Sequence, residues 1–183
     1  MTKNYHILAI GGSTSQHSIN RAFAHFAARQ IGGNVTLLDL NEFEMPIFSV
    51  DREKQGYPEL AYKFRTLIEQ SDGIVISLAE HNGSYTAAFK NIMDWASRIN
   101  RNLWQDKPML LLSASPGARG AQNVMTAALD RFPRLGGNII AHFSLPKFHE
   151  HFDGISITDT HLAERFYEVL EKFIKSLKNS RAS

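Results

Sequence analysis

Apolar residues follow two alternating rhythms along this chain. Short apolar runs occur at Tyr5 to Ile10, Val35 to Leu40, Gly73 to Leu78, Met109 to Ser113 and Asn138 to Phe143. Runs of that length with little polar interruption fit strands buried on both faces. Between them, apolar positions recur every three or four residues, as at 19, 22, 23, 26, 27 and 31. That spacing predicts a helix over Ile19 to Ile31, with Ser18 as its N-cap and Gly32-Gly33 as its stop. Similar spacing predicts helices over Pro58 to Gln70, with Leu60, Phe64, Leu67 and Ile68 on one face, and over Thr86 to Ile99. Further helices are expected over Ala121 to Phe132 and Thr158 to Leu177, the last capped by Thr158 or Asp159. Asn41 to Tyr57 is a long connection broken at Met45-Pro46 and Gly56-Tyr57-Pro58.

Strand and helix therefore alternate five times. Successive parallel strands need a crossover, so the pattern predicts one α/β domain over 1–183, a parallel sheet with helices on both faces. Ligands of such sheets bind beyond the carboxyl ends of the strands, where the winding reverses. Three segments qualify: Gly11 to Asn20, Ala79 to Tyr85 and Ser113 to Gly120, all rich in Gly, Ser and Asn.

Composition removes several chemistries. The chain has 183 residues and no cysteine. Thiolate nucleophiles, thiolate zinc sites, iron–sulfur clusters and disulfide scaffolds are excluded. With 20 Lys plus Arg against 18 Asp plus Glu, the net charge is +2, too small for a binder driven by phosphate neutralisation. No apolar run reaches the roughly 20 residues of a membrane span and no signal peptide is apparent, so a cytoplasmic protein with no nucleic-acid or membrane partner is expected.

The first loop, Gly11-Gly12-Ser13-Thr14-Ser15-Gln16-His17-Ser18-Ile19-Asn20, leads directly into a helix. Free amides and the partial positive charge of a helix start suit a phosphate, and hydroxyls add neutral donors. The spacing matches neither a Walker triphosphate loop nor the dinucleotide fingerprint. The second loop offers Asn82 and Gly83 to the edge of a planar ring. In the third, Pro116, Gly117 and Gly120 fix a tight course close to a ligand.

These residues carry a resemblance. Gly12-Ser13-Thr14-Ser15-Gln16-His17-Ser18-Ile19-Asn20, Glu80-His81-Asn82-Gly83-Ser84 followed by Lys90-Asn91-Ile92-Met93-Asp94-Trp95, and more loosely Ser115 to Gly120, are similar to the motifs of the NAD(P)H-dependent FMN reductases. That flavodoxin-like group includes quinone, chromate and azo-dye reductases. The resemblance implies a three-layer sandwich with five strands in the order 2-1-3-4-5. It implies that Ser13, Ser15, Ser18, Ile19 and Asn20 hold the phosphate of FMN. Glu80, His81, Asn82 and Gly83 would line the isoalloxazine ring, and Ser115, Gly117 and Gly120 its other edge. NADPH or NADH would be the co-substrate, a small molecule the electron acceptor, and a homodimer or homotetramer the assembly.

Three positions depart from the family pattern. Ser15 stands where the family has Arg, Ala79 where it has Pro, and His81 where it has Tyr. Thr86-Ala87 stands in place of the usual Pro-Gly before the third helix. Two other functions are compatible with the fold: a flavodoxin-type electron carrier, which a pI of about 8.9 disfavours, and a descendant with weakened flavin binding used for regulation. The flavin supplies the redox chemistry in the favoured reading, so no catalytic side chain is expected. His149-Glu150-His151, taken as extended, puts both imidazoles on one side but lacks a third ligand, so no metal site is expected. Trp95 and Trp104 are candidates for a subunit interface.

Overall fold

The computed structural model describes residues 4–180. Five parallel strands form the central sheet: β1 (His6–Gly11), β2 (Asn34–Leu38), β3 (Gly73–Leu78), β4 (Pro108–Ala114) and β5 (Asn138–Leu145). Their spatial order is β2-β1-β3-β4-β5. This is the expected order 2-1-3-4-5, with its reversal between β1 and β3. Main-chain register runs unbroken from Ile7 opposite Gly73 to Gly11 opposite Ser77, then from Ile74 opposite Met109 to Leu78 opposite Ser113.

Alternate side chains feed opposite cores, because successive Cβ atoms on a strand point to opposite faces. Leu8, Ile10, Ile74, Ile76, Met109 and Leu111 face α2 (Glu59–Glu69), α3 (Ala87–Ile99) and α4 (Gln122–Arg131). Ile7, Ala9, Val75, Leu110 and Leu112 face α1 (Ile19–Ile31) and α5 (Thr160–Ser180). Both layers are rich in aromatic rings. Phe23 lies within ring contact of Phe26, Phe143, Phe148, Phe152 and Phe166 on one side. Trp104 packs on Phe64 and Phe132 on the other.

Several expectations need correction. Trp95 and Trp104 are 1% and 0% exposed within the chain's own core, which leaves them nothing to offer a subunit interface. His149 and His151 lie on a one-turn helix, Phe148–His151, so an extended segment's common side chain direction does not apply. Among the described residues no group of three or more His, Cys, Asp or Glu could hold a metal. The second strand ends at Leu38 because Asp39 accepts from the Asn41 amide at 3.0 Å and caps a short 3-10 turn. The closing helix, expected to end at Leu177, runs on to Ser180. No helix among the described residues is long and apolar enough to cross a membrane.

Tyr85 carries a testable consequence of burial. Its ring lies parallel to Phe132 at 6.2 Å, and its hydroxyl is buried with no hydrogen-bond partner among the described residues. Burial pushes its pKa up to about 12. A raised folded-state pKa means this group's stability is present below its unfolded value near 10 and is lost as pH climbs through about 12. An unpaired buried hydroxyl costs about 1–3 kcal/mol. Tyr85→Phe is therefore expected to raise unfolding free energy by about 1 kcal/mol in urea denaturation at neutral pH. A fall of similar size would show that the hydroxyl is paired.

Candidate functional site

The three polar loops meet at the carboxyl ends of β1, β3 and β4. Close packing of α1 brings the first into place: a Cβ at Gly11 would sit 2.4 Å from Arg21 Cα. The helix start can therefore lie directly over the strand end. Ser18 accepts from the Arg21 amide at 3.1 Å as the predicted N-cap. Ser13 accepts from the Ser15 amide at 3.2 Å and shapes the turn. Ser13 and Ser18 are each 8% exposed, whereas Thr14, Ser15, Gln16 and His17 are open to solvent. The amides of Thr14, Gln16 and His17 donate to nothing among the described residues. The helix start adds free amides at Ile19 and Asn20. None of these donors carries a formal charge.

Asn20 does something different from presenting its amide to solvent. It is 2% exposed. Its Oδ1 accepts from Ser77 Oγ at 2.7 Å and from the Ala114 amide at 2.9 Å, while its Nδ2 donates to the Ala114 carbonyl at 3.0 Å. One side chain from the first loop thus ties together the ends of β3 and β4.

The second loop is a two-residue hairpin, Glu80–His81 paired with Ser84–Tyr85. Asn82 and Gly83 both have positive φ, 51° and 75°, the type I′ geometry that Asn-Gly favours. His81, Asn82 and Gly83 are exposed. Glu80 points across to the fourth helix, where its carboxylate accepts from the Val124 amide at 3.0 Å and from Asn123 Nδ2 at 3.2 Å. Asn123 in turn accepts from Arg119 of the third loop at 3.0 Å. Glu80 therefore links the second and third loops, and its negative charge is met by the positive end of α4. Thr86 caps α3 by accepting from the Phe89 amide and donates to the Gly12 carbonyl at 2.8 Å, joining the first and second loops.

In the third loop Ser115 Oγ donates to the Gly117 carbonyl at 3.2 Å. Gly120 has φ of 58°, and a Cβ there would come within 3.0 Å of the Pro146 nitrogen. Gly117 is open, with nothing nearer than 3.9 Å to an added Cβ. The amides of Gly117, Ala118 and Arg119 donate to nothing among the described residues. They form a second group of free donors, across the sheet edge from the first.

The sequence marks Thr86 only as a departure before the third helix, and Ser77 and Asn123 not at all. Thr86 had a local signal, a Thr immediately before a helical period. Ser77 and Asn123 had none, since their partners are 57 and 43 residues away.

A reversed open sheet with free amides at a helix start, and further amides across the rim, defines a mononucleotide-binding α/β protein of the flavodoxin-like class. The chain belongs to the NADPH-dependent FMN reductase family, whose model matches residues 5–150. It is 31% identical over 121 residues to a quinone reductase of Pseudomonas putida, a match covering 66% of this chain and 65% of that relative. It is 27% identical over 172 residues to an NADPH azoreductase of a Bacillus species, covering 94% and 90%. The fold is similar to that of the flavoenzyme NAD(P)H:(acceptor) oxidoreductase FerB of Paracoccus denitrificans, with TM-score 0.75, 22% identity and coverage of 96% and 98%. The match spans slightly under two thirds of the Pseudomonas relative's length.

Proposed function

We propose that the protein is an FMN-dependent NAD(P)H oxidoreductase that reduces a small-molecule acceptor such as a quinone or an azo compound. For a quinone the balance is NAD(P)H plus a proton plus quinone giving NAD(P)+ plus hydroquinone. The observation that carries this reading is the pairing of neutral donors at the start of α1 with free amides at Gly117 to Arg119, on one sheet edge. FMN, when bound, supplies the hydride chemistry.

The chain's own residues bind and position. Ser13, Ser15, Ser18 and the Ile19 amide would receive the phosphate, with Asn20 holding their helix against β3 and β4. His81, Asn82 and Gly83 would border the ring, with Glu80 setting the hairpin's place. Ser115, Gly117 and Gly120 would border its other edge. Amides in that third loop suit negative charge developing on a bound ring, since fixed dipoles need no reorganisation. A homo-oligomer, as the family resemblance implies, is part of this proposal. Light scattering on the purified protein checks it.

The reading is tested by an absorption spectrum of the protein with added FMN, followed anaerobically by NADPH or NADH. Loss of the flavin's visible band on adding nicotinamide, and its return on adding quinone, is the expected result. An unchanged spectrum with either nicotinamide sinks the enzyme reading, and FMN binding without reduction favours the electron carrier. The neutral phosphate loop adds a prediction. Ser15→Arg is expected to tighten FMN binding about tenfold, because a charge-assisted hydrogen bond contributes about 1.5–3 kcal/mol and solvent at this exposed position removes part of that. Riboflavin, which lacks the phosphate, is expected to gain nothing in the same calorimetric titration.

A further inference from the structure

The cavity beside the third loop gathers cations without carboxylates. It measures about 350 Å³ and opens between α4, β5 and α5, at the free edge of the sheet. Ala118 and Arg119 of the third loop line one side. They stand between Gly117 and Gly120, which border the flavin in the reading above. His142 of β5 and Arg165 of α5 line the other sides, and no Asp or Glu is among the lining residues.

Each arginine is placed by the fold, and neither is neutralised by it. Arg119 Nη2 donates to the uncharged Asn123 Oδ1 at 3.0 Å, which leaves the guanidinium its charge and its other donors. Arg165 precedes Phe166, which is 0% exposed and packs on Phe23, Phe26 and Phe143, so the backbone that carries Arg165 is fixed. Among the described residues neither arginine forms an ion pair. Arg21 is the contrast: it lines the cavity beside α1, and Asp39 meets its charge at 3.6 Å. The start of α4 adds to the field. Ala121 gives it no side-chain cap, and the amide of Gln122, a lining residue, donates to nothing among the described residues. Free amides at a helix start favour an anion.

Two arginines in one cavity without a carboxylate suit a phosphate monoester, since a guanidinium presents paired donors to phosphate oxygens. NADPH and NADH differ by one such group, the 2′-phosphate of the adenosine, at the far end of the dinucleotide from the nicotinamide. A site for it therefore belongs beside the flavin's border and not on it. We propose that Arg119 and Arg165 bind the 2′-phosphate of NADPH in this cavity and set a preference for NADPH over NADH. The inference rests on the reductase reading above, which leaves the two nicotinamides open. It adds the site and the residues that choose between them.

The test makes two measurements on FMN-saturated protein. In calorimetric titration, adenosine 2′,5′-bisphosphate is expected to bind at least about tenfold tighter than 5′-AMP, which lacks the 2′-phosphate, and Arg165→Gln is expected to abolish the difference. In steady-state kinetics with saturating menadione, the wild type is expected to favour NADPH over NADH at least about tenfold in kcat/KM. Arg165→Gln is expected to lower that ratio about tenfold by raising the NADPH KM, while the NADPH kcat and both NADH constants stay within about twofold, because a group remote from the hydride is held equally in ground and transition states. Arg165→Lys, which keeps the charge without the paired donors, is expected to fall between. Arg119→Gln is expected to lower the same ratio. Equal affinity for the two adenosine phosphates, a wild type that favours NADH, or a ratio unmoved in Arg165→Gln overturns the proposal. Inorganic phosphate that binds as tightly as the bisphosphate makes the cavity a general anion site and also overturns it. Equal losses with both nicotinamides in Arg165→Gln overturn the selecting role. A wild type that oxidises neither nicotinamide removes the reductase reading and this inference with it, whereas oxidation of both with an unmoved ratio removes this inference alone.

Discussion

Asn20→Ala is expected to lower unfolding free energy by about 3–4 kcal/mol and to weaken FMN binding at least about tenfold. The first effect follows from accounting for each polar group. Truncation leaves the Ala114 amide, the Ala114 carbonyl and the Ser77 hydroxyl without their present partners. All three belong to residues that are 0–2% exposed. An abandoned buried polar group costs about 1–3 kcal/mol, and partial rearrangement keeps the sum below three full penalties. The second effect follows from place. The same side chain joins α1 to the ends of β3 and β4, so its loss frees the helix start that presents the phosphate donors. Denaturant unfolding and calorimetric FMN titration of one preparation read both. A stability change under about 1 kcal/mol would show that the amide is not the tie described here.

Gly11→Ala is expected to cost about 3 kcal/mol or more for a different reason, overpacking against backbone. The added Cβ would lie 2.4 Å from Arg21 Cα and 2.5 Å from its nitrogen, and neither atom can rotate away. Helix α1 must move off the sheet, and its free amides move with it. Misplacement of binding groups by about 1 Å is enough to cost a large factor, so FMN binding is expected to fall about a hundredfold. Gly117→Ala is the contrasting case, since its Cβ meets nothing nearer than 3.9 Å. Its stability is expected to change by less than about 0.5 kcal/mol. Thermal and denaturant unfolding of the two variants side by side separates glycine needed for packing from glycine at an open rim. Equal effects would contradict the close helix–strand contact.

The fold was legible wherever a local signal marked an element. Helix α1 begins and ends where Ser18 and Gly32-Gly33 predict, and β3 occupies Gly73–Leu78 as expected. The closing helix resolves its own alternative, with Asp159 accepting from the Leu162 amide at 2.8 Å. Two features were present in sequence but unread. Asn82-Gly83 is a hairpin signal, and Ser49 caps the short helix Val50–Glu53 through the Arg52 amide. The candidate site divides along a different line. Serines at a helix start are read from neighbouring residues, because their partners are two or three positions away. Asn20 and Glu80 find theirs 94 and 44 residues away, so their service as ties between loops is invisible before the chain is folded. The motif Lys90 to Trp95 shows the same limit. Only the fold shows that Asn91 grips a segment more than forty residues earlier.

The central claim is that uncharged hydroxyls and amides at the start of α1 recognise a phosphate monoester carried by a flat ring. Parallel calorimetric titrations of the wild type with FMN and with riboflavin test it most directly. The account predicts one-to-one binding of FMN, at least about tenfold tighter than riboflavin, because only FMN engages the helix start. Equal affinity for the two, or no heat with either at millimolar concentration, would contradict it.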